Sequence, residues 1–481
     1  MAASFRLQPP ISWRPLRPSA FIVASCLLAL AGCSTLSPDD GADAVQRLAR
    51  SRIGSNIILP RQNEPASSAA VTGELLRKPL SAEAAVQIAL LNNASLMASF
   101  AELGISEADF AQAGRLPNPR FSYSNRRSSD LTTIDRTLMV SVMSLLTMPL
   151  AQQVAGRQHE AVQLQVASEV VRLASDTRRA YFSAVASQES VRYFEQVKLA
   201  AEAAAELAND MARIGNFNKL AEMRQQVFHA DAVSQLAKAK LAAFVERERL
   251  TRLLGVAGSD LQYQLPERLP ELPGSAIEPI DAEHTALKRR LDVLLARRDT
   301  DATAANLGLS KATRFINVFE AGYTNESNTG EKRQNGYEID IEIPLFDWGD
   351  AKLARAEATY MRSVHRLQSA ALAAQSEVRA SYQGYRTAYD LARHFRDDVV
   401  PLRKRIADEN VLRYNGMLIS VFELLADARD QIASVNAYID ALRDFWIAET
   451  DLQLALSGTS PERSSNTRSI NMTGAAASGG H

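Results

Sequence analysis

The chain has 481 residues, enough for several compact domains, yet only 6% are aromatic and alanine is abundant throughout, which points to elongated packing rather than stacked globular cores. Its formal charge is −1, and residues 1–32 hold Arg6, Arg14 and Arg17 with no acid, so their removal leaves the rest more acidic; this argues against a nucleic-acid partner, which calls for a basic face. The two cysteines, Cys26 and Cys33, provide neither a disulfide framework nor a metal cluster for a chain shortened at its start, and the six histidines show no H-E-x-x-H spacing, so neither a metal nor another cofactor is expected.

Arg14 and Arg17 precede an apolar run from Ala20 to Ala31, too short to span a bilayer and closed by small residues, the layout of an export signal. Leu30-Ala31-Gly32-Cys33 resembles the lipoprotein box of bacteria, which implies a signal peptide over 1–32 and a lipidated Cys33. Ser34, rather than Asp, follows the cysteine; in bacterial lipoproteins that implies sorting to the outer membrane. Each buried acyl CH₂ contributes about 0.8 kcal/mol, so several chains on one residue anchor firmly. Residues 33–80, punctuated by Pro60, Pro65, Gly73 and Pro79, read as an extended segment.

Ser81 with Glu83 opens a helix in the manner of a cap, continuing through Leu96, Leu103 and Phe110 until Leu116-Pro117-Asn118-Pro119 stops it. Strand patterns follow at Phe121 to Asn125 and Thr137 to Leu146, Pro149 marks their end, and a helical pattern runs from Leu150 to Arg213 before Gly215. A second helix returns from Lys219 to Leu254. Residues 261–280, with Pro266, Pro270, Pro273 and Pro279, form a proline-rich connector. The plan then recurs: a helix from Asp281 to Ser310, strands at Arg314 to Tyr323 and Tyr337 to Phe346, a helical run from Asp350 to Arg413 before Gly416, and a return helix from Val421 to Leu456. Residues 81–260 and 281–457 are thus expected to be two copies of one unit, and 458–481, rich in Ser, Gly and Asn, a disordered tail. A period near 200 residues is far longer than that of a solenoid and points to duplication of a structural half.

Each long helical run would be roughly 95 Å at 1.5 Å per residue. Met361, Val364, Leu367, Ala371, Ala374, Val378, Tyr382, Tyr385 and Tyr389 recur about every 3.5 residues, the period of a coiled-coil seam. A plain helical bundle accounts equally well for this part. The strands decide between them: Tyr337, Ile339, Ile341, Ile343 and Leu345 alternate with Glu338, Asp340 and Glu342, giving one apolar and one acidic face. About ten tilted residues cross a bilayer core, and barrel strands alternate apolar-out and polar-in. Four strands cannot close a membrane barrel, whose smallest bacterial examples have about eight, and lipid does not tolerate open edges, so several chains must share one barrel.

Ile343-Pro344-Leu345-Phe346-Asp347-Trp348-Gly349, followed by Ala351 and an alanine-rich helix, resembles the strand-to-helix signature of the TolC family of outer-membrane efflux proteins; Pro344, Phe346, Asp347 and Gly349 carry the motif. Further likenesses are Arg290-Leu291-Asp292-Val293 leading to Ala304-Ala305-Asn306-Leu307-Gly308, Leu116-Pro117-Asn118-Pro119, and Arg413-Tyr414 ahead of Glu423-Leu424-Leu425. Together they cover the chain from about Ser81 to Leu456. The resemblance implies a mainly α fold with a membrane β-barrel portion: a homotrimer whose four strands per protomer close a 12-strand barrel, with a long α-helical barrel reaching into the periplasm. It also implies a periplasmic adaptor, an inner-membrane pump and outer-membrane lipid as partners.

Such a conduit needs no catalytic residue, and no Gly-rich phosphate loop, G-x-S-x-G or cluster of His and acid suggests an enzyme. Glu338, Asp340 and Glu342, tripled around a lumen, would favour cations. In the family the periplasmic end is closed by an acidic ring and tyrosine-centred contacts. The resemblance puts Glu423 on one ring position and Tyr414 on the gating tyrosine, whereas the second acidic position falls on Ala426, beside Asp427, and the basic partner position on Ile419. The alternative reading is a non-channel, coiled-coil structural lipoprotein of the envelope.

Overall fold

The structure is a computed structural model that describes residues 41–54, 57–60, 65–215, 218–279, 281–314, 318–343, 345–419 and 421–459. The signal segment and Cys33, residues 460–481 of the tail, and Pro344 lie outside these. Four helices come first: α1 (Ala42–Ile53), α2 (Pro65–Leu76), α3 (Ala82–Asn92) and α4 (Ala94–Ala113). A hairpin of β1 (Arg120–Arg127) and β2 (Thr132–Ser141) leads into α5 (Val142–Arg213), which returns as α6 (Lys219–Leu254). After a 3-10 turn at Gly258–Gln262 and the connector come α7 (Ala282–Arg289), α8 (Leu291–Ala312), β3 (Phe319–Asn328) and β4 (Gln334–Ile341). The chain ends in α9 (Asp350–His394), a π turn at Phe395–Val399, α10 (Val400–Asn415) and α11 (Val421–Ser457). Among the described residues no single helix is long and apolar enough to cross a membrane.

The segment 33–80 is not extended where described: α1 and α2 occupy it. Val45, Ala49 and Ile53 recur every four residues and bury against α4, α5 and Leu291, which the turn residues around them conceal; Pro65 takes the first position of α2, where a missing N–H costs nothing. Arg52 fastens α1 to the second half, its Nε donating to the carbonyls of Arg289 and Ser457 at 3.1 Å each.

Two expected helices are broken, each by a residue that is neither Gly nor Pro. Asn93 turns α3 into α4 at 53°, its side chain accepting from the N–H groups of Ser95 and Leu96. Gly255, left-handed at φ 67°, ends α6 against this break, and a Cβ there would lie 2.5 Å from the Asn92 carbonyl oxygen. Arg290, also extended in backbone but without a side-chain cap, separates α7 from α8. The second long run is also interrupted, by the π turn, because Pro401 has no N–H for the Asp397 carbonyl. In the first, the helix begins at Val142, with Pro149 inside it, rather than at Leu150: Ser141 caps it by accepting from the Ser144 N–H at 3.3 Å. The Val-Met-Ser-Leu-Leu stretch, which alternates well enough for a strand, is therefore its first turn.

The waist of the molecule is an apolar core of α3, α5, α9, α11 and the connector. Phe445 meets Tyr385 at a tilt and Tyr389 and Trp446 edge to face, at centroid distances of 5.6, 5.7 and 5.1 Å. These rings also bind the connector through their polar ends. Tyr385 Oη accepts from the Ile277 N–H at 2.8 Å, Tyr389 Oη donates to the Pro273 carbonyl at 3.1 Å, and Trp446 Nε1 donates to that of Pro270 at 3.0 Å. Nearby, burial pushes the Tyr181 hydroxyl up to about 12, which keeps it a donor to the Leu80 carbonyl at 2.9 Å. The buried row of α9 runs through Ser363, Ala370, Ala374, Val378, Tyr385, Tyr389 and Ala392. The expected seam therefore holds from Ala374 onward, while Met361 is exposed and Ser363 takes its place.

Candidate functional site

The four strands form one antiparallel sheet in the order β1-β2-β3-β4. Residues paired directly across an antiparallel ladder share a face. Phe121 pairs with Leu138, Leu138 with Tyr323 and Tyr323 with Tyr337; Val140 pairs with Ala321 and Ala321 with Ile339; Phe319 pairs with Ile341. One face is therefore a continuous apolar band across all four strands. Ile339 on it is 65% exposed, and among the described residues none covers the band at Phe121, Leu138, Tyr323, Tyr337 and Ile341, all of which are exposed.

The opposite face carries Ser122, Thr137, Thr324 and the charges. Glu338 stands opposite Gly322 and Asp340 opposite Glu320. Two like charges directly opposed repel, and Arg120 of β1 offsets this at 3.8 Å from Glu320. Glu342 lies just beyond β4, its N–H donating to the Val318 carbonyl at 3.3 Å. Sequence reading found Glu338, Asp340 and Glu342 but missed Glu320 and Arg120; the alternation Phe319-Glu320-Ala321 was the signal that could have marked Glu320. The strands are also displaced from their expected positions, β3 running on to Asn328 and β4 starting at Gln334 and stopping at Ile341, because the hairpin turn lies closer to Gly330 than the apolar runs suggest. Among the described residues, both outer edges, on β1 and β4, lack a partner strand.

The Asp347-Trp348-Gly349 motif makes the turn from β4 into α9. Asp347 Oδ1 accepts from the Gly349 N–H at 2.8 Å, an Asx-type turn. Arg314 donates to the Trp348 carbonyl at 3.2 Å and pairs with Asp350. Gly349 has φ 74°, and a Cβ there would sit 2.7 Å from the Arg314 carbonyl oxygen. Gly349→Ala is accordingly expected to lose more than the ~1–2 kcal/mol of the left-handed conformation alone, read as a lower unfolding midpoint. Gly349→Asn, which tolerates that φ, should fare no better, since the Cβ contact remains; recovery by Asn would mean that φ alone matters.

At the far end of the helices, Tyr414 occupies the last turn of α10, with 36% of its surface exposed. The reversal after it is closed by N–H donation from Met417 to Tyr414 and from Leu418 to Arg413, at 2.9 and 2.8 Å. Ile419 is half-buried. Glu423 and Ala426 fall on the first turns of α11, outside the residues whose side chains are described. Asp427 accepts from Asn410, and Arg403 pairs with Asp430 at 2.9 Å, so α10 and α11 are tied together just behind the tip. The other reversal passes Gly215 at φ 80°, and Asn218 caps α6 by accepting from the Ala221 N–H at 2.8 Å. Among the described residues no group of three or more His, Cys, Asp or Glu side chains is arranged to hold a metal ion.

No family model matches the chain. It is 23% identical over 284 residues to the cobalt-zinc-cadmium resistance protein CzcC of Cupriavidus metallidurans, a match that covers 58% of this chain and just under two thirds, 66%, of that relative. Among solved structures it is similar to CusC, described in connection with folding and transmembrane channel formation, at a TM-score of 0.67 and 17% identity over 78% of this chain and 92% of that one. It is likewise similar to the Campylobacter jejuni CmeC outer membrane channel, at a TM-score of 0.68 and 15% identity over 79% and 86% of the two chains. The chain has the fold of the TolC family of outer-membrane channels.

Proposed function

We propose that this protein is the outer-membrane channel of a tripartite efflux or type I secretion system, a passive conduit that takes cargo from an inner-membrane pump and periplasmic adaptor to the outside. The observation that carries this reading is the two-faced sheet with both edges open. Its apolar band is uncovered, its other face is charged, and its unpaired edge groups are tolerated in lipid only if another strand pairs with them. Three copies joined edge to edge supply 12 strands, within the range of bacterial barrels, and the protomer is then one third of a closed wall. The succession of two helices, a hairpin and a long helix, which occurs before and after the connector, supports duplication of one ancestral unit. Lipidation at Cys33 would add a second hold on the outer membrane, with the helices extending into the periplasm.

The name of the relative, a cobalt-zinc-cadmium resistance protein, and the acidic sheet face agree on a divalent cation as cargo. Glu320, Glu338 and Asp340, tripled around a lumen, make a field that concentrates cations. Purified protein in planar bilayers is expected to pass current with a reversal potential on the cation side in a salt gradient. Absence of current would favour the coiled-coil structural lipoprotein, which has no closed barrel. At the periplasmic tip, Tyr414 and Glu423 are the gate candidates. Glu423→Lys is expected to change conductance or leak, and identical single-channel records would remove Glu423 from the gate.

A further inference from the structure

The charges on the four strands are sorted by sign as well as by face. Alternation along the ladder puts every acid of the strands, Asp135, Glu320, Glu326, Glu338 and Asp340, on the polar face. The bases of that face stand beside acids, Arg126 at 2.6 Å from Asp135 and Arg120 at 3.8 Å from Glu320. On the apolar face the strands carry charge only at Arg127 and Arg136, both basic and both toward the hairpin turns. The turns add Asp130 and Glu331 against Lys332 and Arg333, which cancel. Arg136 is held in place. It stands in the row next beyond Phe121, Leu138, Tyr323 and Tyr337. Its Nη1 donates to Asn325 Oδ1 at 3.1 Å, and its guanidinium lies 6.0 Å from the Tyr123 ring centre. Asn325 Nδ2 donates in turn to Asn335 Oδ1 at 2.6 Å. One linked polar row thus crosses all four strands on the side that faces lipid in the proposed barrel.

We propose that this row, with Arg127 beyond it, binds the phosphate groups of a phosphorylated glycolipid in the outer leaflet. The proposal rests on the outer-membrane channel reading, in which the hairpin turns point away from the periplasmic helices. The phosphate of a lipid lies next to its acyl chains, and Arg136 stands in the first polar row past the last apolar one. A charge taken out of water is costly unless it is paired, and no acid of the strands shares this face to pair it. Asn325 uses one of the five N–H donors of the guanidinium, and the planar fork matches two phosphate oxygens at once. The depth of the polar rows argues for sugar as well as phosphate. From Tyr123 to Arg127 is about 14 Å along β1, or about 10 Å of height at a tilt near 45°. The polar layer of a phospholipid leaflet is only about 5–8 Å thick. Asn125, Ser327 and Asn335 in these rows offer donors and acceptors together, as sugar hydroxyls require.

The test uses the full-length lipidated protein in detergent, mixed with diphosphorylated lipid A, with the same lipid A stripped of phosphate, or with phosphatidylglycerol. Bound lipid is counted by native mass spectrometry. The parent is expected to hold diphosphorylated lipid A roughly tenfold more tightly than either of the others, the worth of one charge-assisted bond. The double variant Arg127→Gln, Arg136→Gln should lose that preference. Arg136→Lys should keep part of it, since the charge survives without the planar fork. Arg126→Gln makes a single charge change next to Arg127 but on the polar face, and should bind lipid A as the parent does. Equal binding of lipid A with and without phosphate overturns the proposal, as does a double variant that binds like the parent. Phosphatidylglycerol held as tightly as lipid A overturns the assignment to a glycolipid. Displacement of lipid A by millimolar inorganic phosphate makes free phosphate the ligand and overturns it too. Conductance of the same preparation in planar bilayers separates the two readings: current without phosphate-dependent lipid binding removes this site alone, whereas absence of current removes the channel on which it rests.

Discussion

Arg290→Ala is expected to cost about 3–5 kcal/mol, the penalty of breaking a buried ion pair by removing one partner, and to abolish the mature fold at physiological temperature or to lower its unfolding midpoint sharply. Arg290 is fully buried at the break between α7 and α8. Its guanidinium grips Asp292 with two bonds, Nε to Oδ1 at 3.0 Å and Nη2 to Oδ2 at 2.6 Å. It also donates to Glu377 of α9 at 2.7 Å and to the Ala455 carbonyl of α11 at 3.4 Å. One side chain thus ties α8, α9 and α11 together. Burial alone would lower the Arg290 pKa, but the bonds and charges of Asp292 and Glu377 more than reverse that and hold it above its ordinary value. A raised folded-state pKa gives stabilisation that is complete below the unfolded value and is lost only as pH rises through the folded one. The contribution is therefore constant over any pH at which the protein folds. Arg290→Lys keeps the charge but not the planar fork, so it should recover only part of the loss. Denaturant titration followed by far-UV circular dichroism measures both; an Ala variant as stable as the parent would show that the three helices are held by apolar packing alone.

That residue also marks where sequence reading ran out. The bounds of α6 were legible because local chemistry writes both ends: Asn218 caps the start and a left-handed Gly255 closes the end. The acid-apolar alternation of Tyr337 to Ile341 was legible for the same kind of reason, since a period of two needs no tertiary information. The breaks at Asn93 and Arg290 were not, because neither residue forbids a helix. Asn93 turns the chain where its amide also reaches the Leu253 carbonyl at 3.2 Å, and Arg290 does so where carboxylates from two helices meet it. Leu253 and Glu377 lie far along the chain, beyond any local window, and Asp292, two residues on, does not by itself forbid a helix. Pro149 misled in the opposite direction, its usual meaning overruled by the cap at Ser141 about two turns earlier. The acidic face was half legible: Glu338 and Asp340 were read from one strand, but that Glu320 faces Asp340, with Arg120 close by, is a fact of register. The ties between α10 and α11 were the least legible, since Asn410 with Asp427 and Arg403 with Asp430 meet across two helices and leave no periodic trace in either.

Ile339→Lys and Glu338→Lys change neighbouring residues to the same charge, and opposite consequences are expected. Ile339 lies in the middle of the apolar band, beside Ala321. In the proposed barrel it faces hydrocarbon, where a lysine near the midplane costs about 2–4 kcal/mol. The sites of a trimer are far apart and add, so insertion of the assembled channel loses roughly three times that. Ile339→Lys should therefore fold its helices normally, as judged by circular dichroism, yet yield few or no channels, and without the Cys33 acyl anchor (Cys33→Ser) it should be extractable from membranes by urea where the parent is not. Glu338 points to the other face, where water would meet it, and Glu338→Lys should insert like the parent. Its effect belongs to conduction: three acids become three bases beside Glu320 and Asp340, and the reversal potential in a salt gradient should move toward the anion side. Glu338→Gln should move it part of the way. The pair isolates the alternation itself, because the introduced residue and its position along the chain are matched to within one residue; the charge change is +1 for Ile339→Lys and +2 for Glu338→Lys, and Glu338→Gln supplies the +1 change on the acidic face. If both variants insert equally well and conduct alike, the sheet does not separate lipid from lumen. If Glu338→Lys is the one that fails to insert, the faces are reversed and the acids face protein or lipid instead.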